Sequence, residues 1–384
     1  MLILVILAIL GLTTACWDRK EMDDLALVIA SGLDLTDDGQ LEITLQIALP
    51  TGIPTAVQGG VKKKSVIVIS GKGNNSSEVV AKLQQQLSRV IYFGHRGVIV
   101  FGEQFARHGI NQVLDTFTRL PESRYNSYVV TAYKTTAKEI LNSPYELELI
   151  PGIGITKIQS GKLNFPIKID EFTNALSSQG RAPVTAAIKV IHKDTNKETI
   201  SIENAAVYHG NKLTGYLSSQ ELKLLRWWTG QTRQMRYTVQ LEPEDEQYKG
   251  TVGVELLQGG MNIHSVMKNG IPQVRVSLHA SVRVLDNNSK LDLSKINNMK
   301  RAETLVSKQV ENEAENMLAH VQRQLKSDIL GIGEEIHIEH PYVWKKLQEQ
   351  WNDIYPIVPV NVRVDIKIKR TGKTQAPPYV KKTD

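Results

Sequence analysis

The segment "PQVRVSLHASVRVLD", residues 272–286, alternates apolar and polar side chains from Pro272 to Val284. That is the pattern of a β-strand with one dry face and one wet face. Soon after it, over about residues 294–329, Ile296, Met299, Leu305, Val306, Val310, Ala314, Leu318, Val321, Leu325 and Ile329 recur every three or four positions. This reads as one long amphipathic helix with a charged outer face. A one-sided sheet beside a one-sided helix leaves each with an apolar surface to cover. The C-terminal part is therefore expected to be a layered α+β domain, the helix packed over the sheet with its charged face in solvent.

The neighbouring segments fit that layer. "RYTVQLE" and "GTVGVELLQ" precede the alternating strand, and "VPVNVRVDIKIKRTG" closes the domain as a final alternating strand. Ser218 or Ser219 can cap a helix carrying Leu222, Leu224, Leu225, Trp227 and Trp228. "DILGIGEEIH" marks a break, and "HPYVWKKLQEQWNDIYP" reads as another helix. The N-terminal part has a different rhythm. "ALVIASGLDL" and "LEITLQIAL" form a hairpin about the turn "TDDGQ". Strand and helix patterns then alternate over residues 65–143, and this β-α-β-α-β-α order predicts a small α/β subdomain with parallel pairing. Residues 144–180 read as irregular apart from a short helix near "IDEFTNALSS". Antiparallel strands follow, with "HGNK" as a hairpin turn. The expected fold class is mixed α/β and α+β, multi-domain. The expected divisions are 1–15, 16–198 (with 65–143 as a subdomain), 199–371 and a disordered tail at 372–384.

One cysteine, Cys16, is present in 384 residues, so no internal disulfide can form. Residues 2–12 are almost all apolar, too few for a spanning helix, which needs roughly 20. The run matches the apolar region of a secretory signal peptide, and the small residues Thr13, Thr14 and Ala15 lead directly to Cys16. This is the lipobox arrangement of bacterial lipoproteins: the thiol takes a diacylglyceryl group, the chain is cut before Cys16, and the new amine is acylated, for instance with palmitate. At about 0.8 kcal/mol per buried CH₂, two or three chains anchor a protein stably. The alternative is a free thiol buried in an N-terminal helix. Thr13 stands where leucine is usual, Leu12 lies one place earlier, and no Lys or Arg precedes the run, as if the start lay upstream. A net charge of +6 suits a body near an anionic membrane and falls short of a nucleic-acid binder.

The stretch "ACWDRKEMDDLALVIASGLD", with Cys16, Trp17, Asp18, Glu21, Leu25, Gly32 and Asp34, resembles the opening of the Ger(x)C lipoproteins, the C-subunit family of spore germinant receptors. "GHRGVIVFGEQFARHGI", "LPESRYNSYVV", "ENAAVYHGNKLTGYLSSQE", "HPYVWKKLQEQW" and "VNVRVDIKIKRTG" extend the resemblance from Leu12 to Gly372. It implies a non-enzymatic, multi-domain α/β subunit needed for nutrient-triggered germination. Such a subunit is lipid-anchored on the outer face of the inner spore membrane, beside two membrane-embedded partner subunits.

Several stretches imitate chemistry. Gly71-Lys72-Gly73-Asn74-Asn75-Ser76 looks like a phosphate loop, but Ser76 stands where the dinucleotide fingerprint needs Gly or Ala, and the Gly-Lys-Ser/Thr ending is missing. An ordinary strand-to-helix turn with a serine cap is the preferred reading. "HIEH", His337 to His340, is one residue short of the inverted zincin pattern, and His340 before Pro341 is expected to end an extended segment. Trp227 and Trp228 fit core packing or a domain contact better than a binding platform. Asp23 and Asp24 suit a solvated helix start, Trp17 a lipid interface, and Lys62–Lys64 a solvated loop that could also touch headgroups or partners. No catalytic, cofactor or metal residue is assigned. A lipid-anchored extracytoplasmic solute-binding protein is the alternative function, although the two halves lack the matching lobes such proteins have. An exported hydrolase is a third, for which no nucleophile can be named.

Overall fold

The computed structural model describes residues 21–49, 65–111, 113, 126–161, 164–192, 198–232, 234–241, 249–268 and 270–370. Cys16, the expected signal peptide 1–15, Trp17, the Lys62–Lys64 triplet and the tail 372–384 lie outside them.

The chain builds two sheets. The first takes β1 (Leu25–Leu35), β2 (Leu41–Ala48) and β3 (Val66–Gly73), then α1 (Ser76–Gln84), β4 (Val90–Tyr92), β5 (Val98–Phe101), α2 (Glu103–His108), β6 (Tyr128–Ala132) and α3 (Ala137–Asn142). It continues with α4 (Pro151–Ser160), α5 (Ile169–Ser177), β7 (Val184–His192), β8 (Glu198–His209) and β9 (Lys212–Leu217). Helix α6 (Ser219–Trp228) leads to β10 (Arg236–Leu241), β11 (Gly250–Lys268) and β12 (Ile271–Asn287) of the second sheet. After them come α7 (Ile296–Ala319), α8 (Ile332–Glu339), α9 (Pro341–Leu347), α10 (Trp351–Ile354) and the closing strand β13 (Val360–Arg370).

The first sheet has nine strands in the order β3-β2-β1-β5-β6-β7-β8-β9, with β4 beside β1. β1, β5, β6 and β7 run parallel, and antiparallel strands extend both sides. Parallel pairing within 65–143 therefore holds for β5 and β6 only. β3 pairs with β2 alone, antiparallel, and β1 enters the parallel set from outside the expected subdomain. Burial explains the choice. All four residues of β5 are buried, and β1 is buried along its second half. Such strands need cover on both faces and take central places. Six of the eight β3 residues are only half-buried, which suits an edge. One face is packed by α3 and α4, through Ala137, Ile140, Leu141 and Ile155. The other is packed by α1, α2 and α5, through Val79, Leu83, Phe105 and Phe172. Because β8 and β9 close this sheet, strands on both sides of residues 198/199 share it.

Helix α4 occupies residues read from sequence as irregular. Gly152 and Gly154 lower its helix propensity, and tertiary contact requires them. A β-carbon at Gly152 would lie 2.6 Å from Ala30 Cβ. Gly152 N–H also donates to Gln46 Oε1 at 2.8 Å, while Gln46 Nε2 donates to Leu141 O.

The second sheet runs β10-β11-β12-β13, antiparallel except that β13 joins β12 in parallel. β11 continues well past "GTVGVELLQ", because β12 pairs with it as far as Lys268–Ile271. Helix α7 packs over this sheet with Ala302, Val306, Val310, Ala314, Met317 and Leu318 buried and Lys300, Arg301, Thr304, Lys308 and Asn312 exposed. The helix stops short of the expected residue 329. A π-turn at His320–Gln324 ends it, and Lys326 takes a left-handed φ of 49°. Leu325 and Ile329 are still buried, so the apolar period persists while the helix does not. "HPYVWKKLQEQWNDIYP" forms α9 and α10 separated by a 3₁₀ turn.

Candidate functional site at the junction of the two sheets

Asp328 lies in the loop between the π-turn and α8, fully buried. Its Oδ1 accepts Ile332 N–H at 3.0 Å, and its Oδ2 accepts Gly333 N–H at 2.8 Å and Trp351 Nε1–H at 3.0 Å. The carboxylate thus satisfies the first amides of α8, which would otherwise be orphaned. Burial pushes its carboxyl up to about 6, against the hydrogen bonds that hold it down. Trp351 stacks edge-on with Trp344 at 5.4 Å and lies 6.0 Å from the Tyr355 ring.

This cluster faces the first sheet. Ala182 N–H donates to Asp328 O at 2.7 Å, and Glu334 N–H donates to Gly180 O at 3.2 Å. From α6, Trp228 Nε1–H donates to Leu330 O at 3.0 Å, and Trp227 Nε1–H donates to Gly260 O at 3.2 Å. The tryptophan pair is therefore core and inter-sheet contact, as its helical spacing suggested. Ser218 caps α6 in a reciprocal box with Glu221. Beside the junction a cleft of about 360 Å³ is lined by Phe165, Phe172, Arg181, Gln231 and Glu334.

Sequence reading missed Asp328. Asp328 stands four and five residues before the amides it binds, beyond the two or three of a side-chain cap, so no local spacing marked it.

Gly32 and Asp34, singled out in the opening stretch, form a second buried polar point. Asp34 accepts Ala137 N–H at 2.8 Å and Lys138 N–H at 2.9 Å, and Thr136 Oγ1 accepts Glu139 N–H at 3.1 Å. The first three amides of α3 are thereby satisfied. Burial raises the Asp34 carboxyl above its ordinary range. A β-carbon at Gly32 would touch Ala137 Cβ at 3.0 Å, so glycine lets α3 approach.

The imitation motifs resolve differently. In the glycine-rich turn the cap is Asn75, whose Oδ1 accepts Glu78 N–H at 3.0 Å, rather than a serine. Glu78 Oε2 accepts Asn74 N–H at 2.9 Å, so a carboxylate occupies the place an anion would need. His337 and Ile338 lie in α8 and His340 joins α8 to α9, so "HIEH" is helical rather than extended. His337 stacks on Trp344, His340 Nε2 donates to Ser265 O at 3.0 Å, and Glu339 pairs with His264. Among the described residues no group of three His, Cys, Asp or Glu side chains is placed to hold a metal. Asp23 and Asp24 are exposed in a 3₁₀ turn before β1.

A larger cavity lies elsewhere: an open groove of about 920 Å³ between the far end of the β11–β12 hairpin, the end of α7 and residues 356–361.

Two family models match the chain: "Spore germination protein N-terminal domain" over residues 18–190 and "Spore germination B3/GerAC like, C-terminal" over residues 203–372. The chain is 26% identical to spore germination protein KC of Bacillus subtilis (strain 168), over 98% of this chain and 96% of that protein. It is 24% identical to spore germination protein B3 of the same organism, over 93% and 94%. The crystal structure of the GerBC protein superposes with a TM-score of 0.59 at 22% identity, over 88% of this chain and 96% of that one. That likeness is one of fold: a two-part body with an N-terminal sheet and a C-terminal sheet with helices.

Proposed function

The chain belongs to the GerAC-like family of spore germination proteins, and from that premise we propose that it is a non-catalytic, lipid-anchored subunit of a nutrient germinant receptor. In this reading residues 1–15 are removed as a signal peptide and the mature chain begins at an acylated Cys16. The folded body stands on the outer face of the inner spore membrane and acts by contact with membrane-embedded partner subunits. The observation that carries the reading is the pair of family matches, which together span residues 18–372 apart from a short gap. The geometry agrees with a contact protein. Its buried aspartates among the described residues, Asp34 and Asp328, are spent on helix amides and an indole. Among the described residues no helix is long and apolar enough to cross a membrane.

The test is intact mass and membrane partition of the wild type and Cys16→Ala, both expressed in a spore former. A diacylglyceryl mass on the wild type, with membrane association lost in the variant, is expected. An unmodified thiol, or a variant that still pellets, would sink the anchor. The cleft of about 360 Å³ keeps a solute-binding reading in play. Calorimetric titration of the protein with germinants decides it: tight binding by this chain alone favours that reading.

A further inference from the structure

The far end of the β11–β12 hairpin carries apolar side chains that the fold leaves uncovered. Val266 and Ile271 are each 50% exposed. Val266 pairs with Gln273 and Lys268 pairs with Ile271, so the two are diagonal neighbours on one face. Across the groove stands Ile357, 73% exposed. On the free edge of β11, Glu339 Oε2 accepts Ser265 N–H at 2.6 Å and His340 binds Ser265 O. These bonds seat the α8–α9 corner against the strand, which places Ile338 and Tyr342, 75% and 83% exposed, beside the same end. Exposed apolar residues scattered singly are ordinary, but five gathered at one end are not.

Cations stand among them. Lys268 is at the tip, and Arg275 and Arg323 line the groove. All three are exposed, and among the described residues none pairs with a carboxylate. Glu315 is the groove's acidic member. The apolar side chains come from three separate places, the β11–β12 hairpin, the α8–α9 corner and the segment before β13, and of them Val266 and Ile357 line the groove itself. Apolar tips for the acyl boundary, a tyrosine for the headgroup level and unmatched cations for phosphate are together the chemistry of an anionic bilayer surface.

We propose that the hairpin end, centred on Val266, Ile271 and Ile357 with Lys268, Arg275 and Arg323, is a second membrane contact that docks on anionic lipid. It rests on the membrane location proposed above but not on acylation of Cys16. Two contacts would fix the tilt of the body and so determine which surface meets the partner subunits.

The test uses the full chain carrying Cys16→Ser and Ile271→Cys, labelled at residue 271 with an environment-sensitive dye. Vesicles of phosphatidylglycerol and phosphatidylcholine should shift its emission to the blue, and pure phosphatidylcholine should not. Adding Lys268→Gln, Arg275→Gln and Arg323→Gln should raise the half-saturating lipid concentration at least tenfold, given about 1 kcal/mol per cation near the surface. The same dye at Thr304→Cys, on the exposed face of α7, should not shift. No shift at residue 271, or equal shifts at 271 and 304, would overturn the proposal. The probe protein lacks Cys16, so failure of the anchor leaves this result untouched, and failure here leaves the anchor's mass test untouched.

Discussion

Gly180 and Gly333 meet backbone to backbone across the junction of the two sheets. A β-carbon on Gly333 would lie 2.6 Å from Gly180 Cα, and one on Gly180 would lie 2.7 Å from Glu334 N. Only this closeness lets Glu334 N–H reach Gly180 O. Gly333→Ala should therefore force the two parts apart and cost about 2 kcal/mol, in the range of overpacked cores. Urea unfolding followed by tryptophan fluorescence measures it; an unchanged midpoint would mean that the junction does not bear on stability.

Asp328 makes the junction sensitive to pH. Its folded carboxyl titrates at about 6, above the ordinary 3.8. The folded state therefore holds its proton more tightly than the unfolded chain. This contribution is fully present below about 4 and is lost as pH rises through 6, amounting to about 3 kcal/mol at most. Asp34 is shifted in the same direction, so the comparison must be between wild type and Asp328→Asn. The wild type should lose stability from pH 4.5 to 7.5 relative to the variant, read from urea midpoints. Parallel profiles would refute the assignment.

Helix α7 closes the edge of the second sheet with its own side chains. Glu303, Ser307 and Glu311 accept the N–H groups of Ile368, Ile366 and Val364 at 2.8, 3.0 and 3.1 Å. Four helical residues rise about 6 Å and two strand residues about 6.6 Å, so the two repeats stay in step. The ladder blunts an edge that could otherwise pair with another chain. Ser307→Ala should cost about 1 kcal/mol and speed hydrogen exchange at the Ile366 amide while leaving β12 unchanged. Equal protection in both proteins would count against the ladder.

Asp34→Ala should strip two acceptors from the start of α3 and cost about 2 kcal/mol. Exchange should quicken first at the amides of Ala137 and Lys138. If the loss is instead uniform along the chain, the capping role is wrong.

Much of the local structure was legible because it depends on near neighbours. The alternation of residues 272–286 became β12, and the buried stripe of α7 was readable at Val306, Val310, Ala314 and Leu318, although Ile296, read as part of it, is exposed and the buried Ala302 and Met317 went unread. Thr36–Gln40 and His209–Lys212 turn where Gly39 and Gly210 take positive φ. The tryptophans at 227 and 228 were readable as core. The family motifs were readable too, because they are words in the chain rather than shapes.

What stayed hidden depends on partners distant in sequence. Helix α4 was concealed by Gly152 and Gly154, whose value is the approach to Ala30 and Tyr145. "HIEH" was readable as extended because Pro341 follows it, yet that proline serves as the first residue of the next helix. Asp328 looked like any loop aspartate until Trp351, 23 residues away, supplied its indole.

By itself, then, the sequence determined the period and the buried face of its strongly periodic segments, such as β12 and α7, since those follow from side-chain spacing on a single strand or helix. Only the tertiary structure decided that β1 and not β3 would sit at the centre of the first sheet, where α7 would end, and which glycines would touch. A burial pattern states that a face must be covered but carries no label for what covers it. That choice is made by competition among all the faces at once.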